Sequence, residues 1–192
     1  GETDDRFGEK ERLPLCGGRV LINEPYYAYI KIAEGCNNRC TYCAIPSIRG
    51  GLRSRTVESV VEEANTLAEN GVKELIVVAQ DTTRYGEDIY GQCRLAELLN
   101  ELCKIEKIHW IRLLYAYPDR LTDDIISVIK NQPKIVKYID LPIQHCCGEV
   151  LKRMNRPGDR ESLEKTIEKL RKEIPGITVR TTLIAGFPGE SE

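Results

Sequence analysis

Long apolar runs are missing from this sequence, and so is an excess of charge of either sign. No stretch approaches the about 18 apolar residues that a membrane-spanning helix needs. Lys plus Arg total 28 against 30 for Asp plus Glu, so the net charge of -2 provides no overall attraction to nucleic acid or membranes. The opening segment, GETDDRFGEKER, is charged throughout and argues against a secretory signal there. We therefore expect a cytoplasmic protein with no membrane partner and no direct nucleic-acid partner.

The composition is that of an ordinary globular domain. Apolar residues make up 41% and charged residues 30% of 192 residues, which is enough for one sizeable core and short for two. Residues 1–25 are polar and contain the breakers Gly17, Gly18 and Pro25, whereas regular patterning begins at Tyr26. We predict a linker or the remnant of a preceding domain over residues 1–25, and one core domain over residues 26–192.

Short β-rich runs alternate with amphipathic helical patterns from Tyr26 onward. The predicted strands are YAYIKIA (27–33), ELIVVA (74–79), HWIRLLY (109–115), VKYIDLPI (136–143) and ITVRTTLIAG (177–186). The predicted helices follow Thr56 as far as Asn70-Gly71, cover Leu95 to Leu102, follow Thr122, and run through Leu163 and Ile174 to Pro175-Gly176.

This alternation predicts an α/β fold with parallel strands joined by crossovers. Five such strands form either an open doubly wound sheet or part of a (β/α) barrel, and both place function at the carboxyl ends of strands. The unusual polar segments EGCNNRC, QDTTRYG, YPDR, QHCC and GFPGES all follow predicted strands. We therefore expect one active face, on a core that is incomplete after its fifth strand.

Eight cysteines are many for a chain of this kind, and three of them fall within eight residues. Cys36, Cys40 and Cys43 have the spacing C-x3-C-x2-C directly after the first predicted strand. Thiolates suit iron–sulfur clusters and zinc. Three protein ligands leave one metal of a four-iron cluster open, whereas structural zinc needs a fourth ligand, for which His145 or another cysteine is available. The spacing favours the cluster, and zinc stays an alternative.

The triplet, with Tyr42 just before its last cysteine, resembles the signature of radical S-adenosylmethionine (SAM) enzymes. The resemblance implies a partial (β/α) barrel of the radical SAM type, a 4Fe-4S cluster and bound SAM. In that family, one electron from the reduced cluster cleaves SAM, and the resulting 5′-deoxyadenosyl radical removes hydrogen from the substrate.

One branch, the methylthiotransferases, resembles the chain over residues 26–192, from YYAYIKIAEGCNNRCTYCAIPSIRGGLRSR to TTLIAGFPGESE. Within it, AQDTTRYG (79–86) and WIRLLYAYPDR (110–120) are similar to the bacterial enzymes that methylthiolate an aspartate of small-subunit ribosomal protein twelve. That resemblance implies the ribosomal protein as substrate, modified at the aspartate β-carbon, and an electron donor such as flavodoxin or ferredoxin. It also implies a second 4Fe-4S cluster on a further domain, whose cysteine triplet is absent from this chain.

The alternatives are the same chemistry on a tRNA adenosine, which QDTTRYG argues against, and a non-catalytic metal-binding module.

The resemblance also suggests residues that contact the cofactor, while no catalytic side chain is assigned beyond the cluster ligands. Gln80 and Asp81 are expected near the methionyl amine, Asp140 and Gln144 near the ribose, and Gly186 near the adenine. A turn cap at Asp81 and a helix-capping role around Asp140 are the structural alternatives. GFPG (186–189) lacks the Lys-Ser/Thr of a phosphate loop, which argues against nucleoside triphosphate binding.

Three other groups of side chains have weaker interpretations. His145 is a candidate for acid–base work or a hydrogen-bonded structural residue. Cys93 and Cys103 are expected to be packed thiols, and the pair Cys146-Cys147 has no family template. Four arginines surround the cluster loop in sequence and could bind a carboxylate, or could form a solvated face. They are Arg39, Arg49, Arg53 and Arg55.

Overall fold

The computed structural model describes residues 15–17, 20, 22 and 24–190. Most of the predicted linker over residues 1–25 lies outside the described residues, and so do the last two residues of the TTLIAGFPGESE segment.

A five-stranded parallel sheet forms the centre of the fold. The strands of the structure are β1 Tyr27–Lys31, β2 Ala33–Glu34, β3 Arg53–Ser54, β4 Glu74–Val78, β5 Trp110–Leu113, β6 Ile135–Asp140 and β7 Thr178–Arg180. The sheet has the strand order β1-β4-β5-β6-β7, and a separate antiparallel pair, β2 with β3, lies beside the end of β1.

Within residues 24–190, four substantial helices follow the predicted pattern, and three short ones were not predicted. The helices are α1 Ile45–Arg49, α2 Val57–Glu69, α3 Glu87–Tyr90, α4 Leu95–Cys103, α5 Asp123–Asn131, α6 Gly148–Arg153 and α7 Arg160–Glu173. Both predicted threonine caps are present, because Thr56 accepts from the Ser59 amide and Thr122 from the Ile125 amide. Among the described residues, no helix combines the length and the apolar character needed to cross a bilayer.

The main core lies between one face of the sheet and the helices. Ala28 and Ile30 of β1 are fully buried in it, as is Ile111 of β5. Side chains alternate between the two faces of a strand, and the neighbours that point the other way, Tyr29 and Trp110, are 48% and 54% exposed. Helices thus cover one face, as in a partial barrel, rather than both faces, as in a doubly wound sheet.

Each of the five predicted strands is shorter in the structure, and the reason is clearest for the first and the fifth. The first was predicted over residues 27–33, but the chain leaves the sheet after Lys31, and Ala33–Glu34 pairs with Arg53–Ser54 instead. The fifth was predicted over residues 177–186, and β7 ends at Arg180. It is the edge strand of the sheet, and the mostly exposed segment beyond it stays attached to the segment after β6 through a bridge between Gln144 and Leu183 and a hydrogen bond from the Ile143 amide to Thr181 Oγ1 at 3.2 Å.

Candidate functional site

The cysteine triplet lies in a loop that starts at the carboxyl end of β1 and is tied at its base. Strands β2 and β3 pair across the base, and the Cys36 amide donates to the Gly50 carbonyl at 3.2 Å. Gly35 has a φ of +76°, and a Cβ there would lie 2.0 Å from the Gly51 carbonyl oxygen. Only glycine permits this close approach of the two backbone segments. The base of the loop is therefore fixed by backbone contacts.

A cavity of about 510 Å³ opens beside this loop at the carboxyl ends of the strands. Its size is within the range of pockets that bind small molecules and cofactors. The three cysteines line it together with Gln80, Asp140 and Gln144, which sequence reasoning named. The remaining lining residues are Asn38, Tyr42, Ile45, Ala79, Tyr115, Ala116, Tyr117, Pro142, Arg156, Arg180 and Thr182.

All three cavity thiols are partly buried and free. The Cys36 sulfur accepts a hydrogen bond from the Asn38 amide at 3.4 Å, and the Cys40 sulfur lies 3.5 Å from the Tyr117 hydroxyl. The pKa of the Cys36 thiol is raised, mainly because the thiol is buried. Each of these two sulfurs therefore has a hydrogen-bonding group beside it in the protein.

The arrangement of the thiols suits a cluster better than a single ion. In the part of the chain that the structure describes, no group of three or more His, Cys, Asp or Glu side chains is close enough together to hold one metal ion. Structural zinc needs four ligands around one point. A four-iron cluster takes each thiolate on a different iron atom, so its ligands can be farther apart. Cys36, Cys40 and Cys43 around one cavity therefore fit the cluster.

Gln80 presents an unsatisfied acceptor in the wall of this cavity. Its Nε2 donates to Glu34 Oε1 at 3.0 Å, and a carboxylate can only accept, so the amide orientation is fixed. The other end, Gln80 Oε1, is buried and has no hydrogen-bond partner among the described residues. A buried acceptor of this kind is costly unless a donor reaches it, which makes Gln80 suited to a ligand that carries an N–H or O–H group.

Asp81 and Gly186 do not line the cavity, although both were named as contacts. Asp81 is 2% exposed and caps the short 3₁₀ helix Thr82–Arg84 through the Thr83 amide at 3.0 Å. Its other oxygen accepts from Asn38 Nδ2 at 2.7 Å. The pKa of the Asp81 carboxyl group is raised, mainly because the group is buried. Asp81 thus matches the turn-cap interpretation and supports the cysteine loop from behind.

Gly186 lies in an exposed turn that Glu190 holds closed. Its amide and that of Phe187 both donate to Glu190 Oε2, at 2.6 and 3.0 Å. His145 belongs to the same assembly, since its Nε2 lies 3.0 Å from Glu190 Oε1 and its Nδ1 accepts from the Cys147 amide at 2.9 Å. With Nδ1 accepting, Nε2 is the protonated nitrogen and donates to Glu190. Both ring nitrogens of His145 thus make hydrogen bonds within the protein, as expected for a structural histidine.

The two arginines in the cavity wall are not among the four that surround the loop in sequence. Arg180 pairs with the buried Asp140 at 2.7 Å. Arg156 is 8% exposed and comes from the turn between α6 and α7, far along the chain. By contrast, Arg55 bonds Glu63 and the Lys31 carbonyl and holds α2 against the sheet. Neither helical nor strand periodicity marks Arg156 or Arg180, so sequence reasoning missed them.

Arg156 makes three contacts around the cavity. Its Nη2 donates to the Pro142 carbonyl at 2.8 Å, and its Nη1 donates to the Tyr42 hydroxyl at 3.3 Å. Its guanidinium lies 4.0 Å from the centre of the Tyr117 ring. Burial raises the pKa of the Tyr42 phenol to about 12, so this hydroxyl keeps its proton at neutral pH. A buried cation and two neutral phenols thus surround Cys40.

Comparison with known proteins agrees with the fold and the cysteine motif. The family model of the radical SAM superfamily matches residues 30–192. The radical SAM methyltransferase TsrM from Kitasatospora setae superposes with a TM-score of 0.67 at 18% identity, covering 87% of this chain and 32% of that one. The cobalamin-dependent radical SAM enzyme OxsB gives 0.64 at 14% identity, covering 81% and 23%. These structures share the fold with this chain.

Curated relatives are much more similar in sequence. The ribosomal protein uS12 methylthiotransferase RimO of Caldanaerobacter subterraneus subsp. tengcongensis is 59% identical over 174 residues, which are 91% of this chain and 40% of that protein. The protein of the same name from Clostridium novyi is 52% identical over 198 residues, covering 98% and 45%. The chain thus spans less than half the length of these relatives. On the match of the family model to most of its length, this chain belongs to the radical SAM superfamily.

Proposed function

We propose that this chain is the SAM-cleaving core of a methylthiotransferase that modifies the β-carbon of an aspartate in ribosomal protein uS12. The observation that carries the proposal is the 52–59% identity, over nearly the whole chain, to proteins named as uS12 methylthiotransferases. The cavity supports it, because three free thiols and an unsatisfied acceptor line one pocket of about 510 Å³. A cytoplasmic location and a flavodoxin or ferredoxin as electron donor complete the proposal.

The described residues supply distinct parts of the cofactor site. Cys36, Cys40 and Cys43 would hold a 4Fe-4S cluster as thiolates. When bound, the cluster supplies the electron that cleaves a carbon–sulfur bond of SAM. Gln80 Oε1 would accept a hydrogen bond from the amino group of SAM, since it is the buried acceptor in the wall that lacks a donor.

Charge in the cavity wall also suits SAM. Arg156 and Arg180 line the cavity, and a guanidinium binds carboxylates through paired N–H groups. Asp140 already pairs with Arg180, which orients that arginine, whereas Arg156 has no carboxylate partner among the described residues. Arg156 is therefore the cation available for the carboxylate of SAM or for the charge of the cluster.

The experiment that tests the function compares cells with and without this gene. Mass spectrometry of uS12 should show a methylthio group on an aspartate in the parent strain and none in the deletion strain. A copy of the gene should restore the modification, whereas a copy with Cys40→Ala should not. Hypomodified tRNA adenosine with normal uS12 would instead establish the tRNA alternative. Normal modification of both would leave only the metal-binding module.

A further inference from the structure

The Tyr117 hydroxyl is the side-chain group that contacts a cavity cysteine from across the pocket. It lies 3.5 Å from the Cys40 sulfur, and 77 residues separate the two in sequence. Either atom could donate while Cys40 is a thiol. A metal-bound thiolate has no proton, so in the loaded protein only the phenol can donate. In the loaded protein, the Tyr117 hydroxyl therefore donates a hydrogen bond to the sulfur of the ligand Cys40.

Hydrogen bonds fix the main chain that carries this phenol. The Tyr117 amide donates to Thr83 Oγ1 at 3.4 Å, and the preceding amide of Ala116 donates to the Asp140 carbonyl at 2.9 Å. Pro118, the next residue, is buried and starts the short helix Pro118–Arg120. The backbone after β5 is thus tied to the segment after β4 and to the last residue of β6, which fixes the point from which the ring of Tyr117 extends.

Arg156 lies over the face of the same ring, 4.0 Å from its centre. It is 8% exposed, and within the described part of the chain it contacts a carbonyl and a phenol but no carboxylate. A buried cation without an anion is unfavourable unless another negative charge is close. A cation against the face of a phenol draws electron density from the ring and makes its O–H a stronger donor. The negative charge of a thiolate-bound cluster beside Cys40 would supply the missing partner.

We propose that Tyr117 and Arg156 are positioning residues that raise the reduction potential of the cluster, through a hydrogen bond from Tyr117 to the Cys40 sulfur that Arg156 strengthens. The inference rests on the proposed cluster site. Hydrogen bonds to the sulfurs and nearby charge are established determinants of cluster potential. Both favour the reduced state, because reduction adds negative charge to the cluster.

The test measures iron content and reduction potential separately on the anaerobically reconstituted chain, in the absence of SAM. Tyr117→Phe removes only the hydroxyl and should keep the iron content while making reduction about tenfold less favourable, a shift of about 59 mV to more negative potential for a one-electron couple. Tyr115→Phe is the matched control, since Tyr115 lines the same cavity and its hydroxyl makes no hydrogen bond to a thiol among the described residues. Its potential should equal that of the unmodified chain.

Arg156 is tested by a pair of variants that differ in charge. Arg156→Met should shift the potential in the same direction as Tyr117→Phe, while Arg156→Lys should retain most of the original value. Equal potentials for Tyr117→Phe and Tyr115→Phe would overturn the proposal, even if the arginine variants fail to fold. Equal shifts for Arg156→Met and Arg156→Lys would overturn the part assigned to charge. An unmodified chain that folds and binds no iron would instead refute the proposed cluster site itself.

Discussion

Cysteines in this chain fall into two groups by their surroundings. Three line the cavity, and the other five lie elsewhere. Cys93 and Cys103 pack against the main core, as predicted for ordinary buried thiols. Cys146 and Cys147 are exposed, near the His145–Glu190 contact and outside the cavity wall. Location in the cavity wall therefore distinguishes the three proposed ligands from the other five cysteines.

Replacing each cavity cysteine should abolish the cluster. Cys36→Ala, Cys40→Ala and Cys43→Ala each leave two thiolates, which are too few to retain a four-iron cluster. Iron analysis and visible absorption after anaerobic reconstitution measure the loss. Cys147→Ala is the control and should keep the full iron content. The ligand assignment would be wrong if Cys40→Ala kept its absorption and Cys147→Ala lost it.

At the scale of elements, the end of α6 and the turn that follows it support the cysteine loop through hydrogen bonds, in addition to the contact of Arg156 with Tyr42. The Thr41 amide donates to the Met154 carbonyl and the Thr41 hydroxyl to the Arg153 carbonyl, both at 3.0 Å. Asn155 Nδ2 donates to the Arg39 carbonyl at 2.8 Å. Asn155 has a φ of +55°, a conformation that asparagine tolerates better than most residues. This turn thus positions the loop from a distant part of the chain.

Changing Asn155 should loosen the loop. Asn155→Ala removes the hydrogen bond to the Arg39 carbonyl and puts alanine, which tolerates the left-handed region less well than asparagine, at a φ of +55°, so the free energy of unfolding should fall by about 1–2 kcal/mol. Asn155→Gly removes the same hydrogen bond without that backbone strain, so it should be less destabilising. In both variants the Thr41 amide should exchange with solvent faster, as hydrogen exchange followed by mass spectrometry or NMR can measure. Unchanged exchange at Thr41 in both would show that this turn does not support the loop.

At the scale of the whole chain, we expect residues 1–192 to cleave SAM without transferring sulfur. The cavity with its three thiols lies entirely within residues 1–192, whereas the sulfur source that the family resemblance implies needs a second cysteine triplet, which this sequence lacks. Reconstituted with dithionite and SAM, the chain should release 5′-deoxyadenosine and methionine. It should add no methylthio group to a uS12 peptide. Mass spectrometry checks both products.

Two results would contradict this expectation. Methylthio-aspartate formed by residues 1–192 alone would show that no second cluster is required. A folded chain loaded with four irons that released no 5′-deoxyadenosine would count against SAM cleavage by this core. Cys40→Ala is the control for background cleavage of SAM.

Sequence reasoning predicted the parts of the molecule that depend on local patterns. The five parallel strands, the four longer helices and the Thr56 and Thr122 caps follow from periodicity and end signals. The position of the cysteine loop after the first strand was predicted correctly, because the spacing of Cys36, Cys40 and Cys43 is itself a local sequence pattern. Long-range contacts were not predictable in this way. Arg156 reaches the cavity through the turn after α6, and Asp81 turns away from it to cap Thr83.

The tied base of the cysteine loop has a consequence for how the protein withstands oxygen. Because β2 pairs with β3 and Gly35 lies against Gly51, the ends of the loop are held by backbone contacts that need no iron. The main core likewise contains none of the three cavity cysteines. A cluster destroyed by oxidation could then be rebuilt in place from iron, sulfide and a thiol reductant, without the chain passing through an unfolded state.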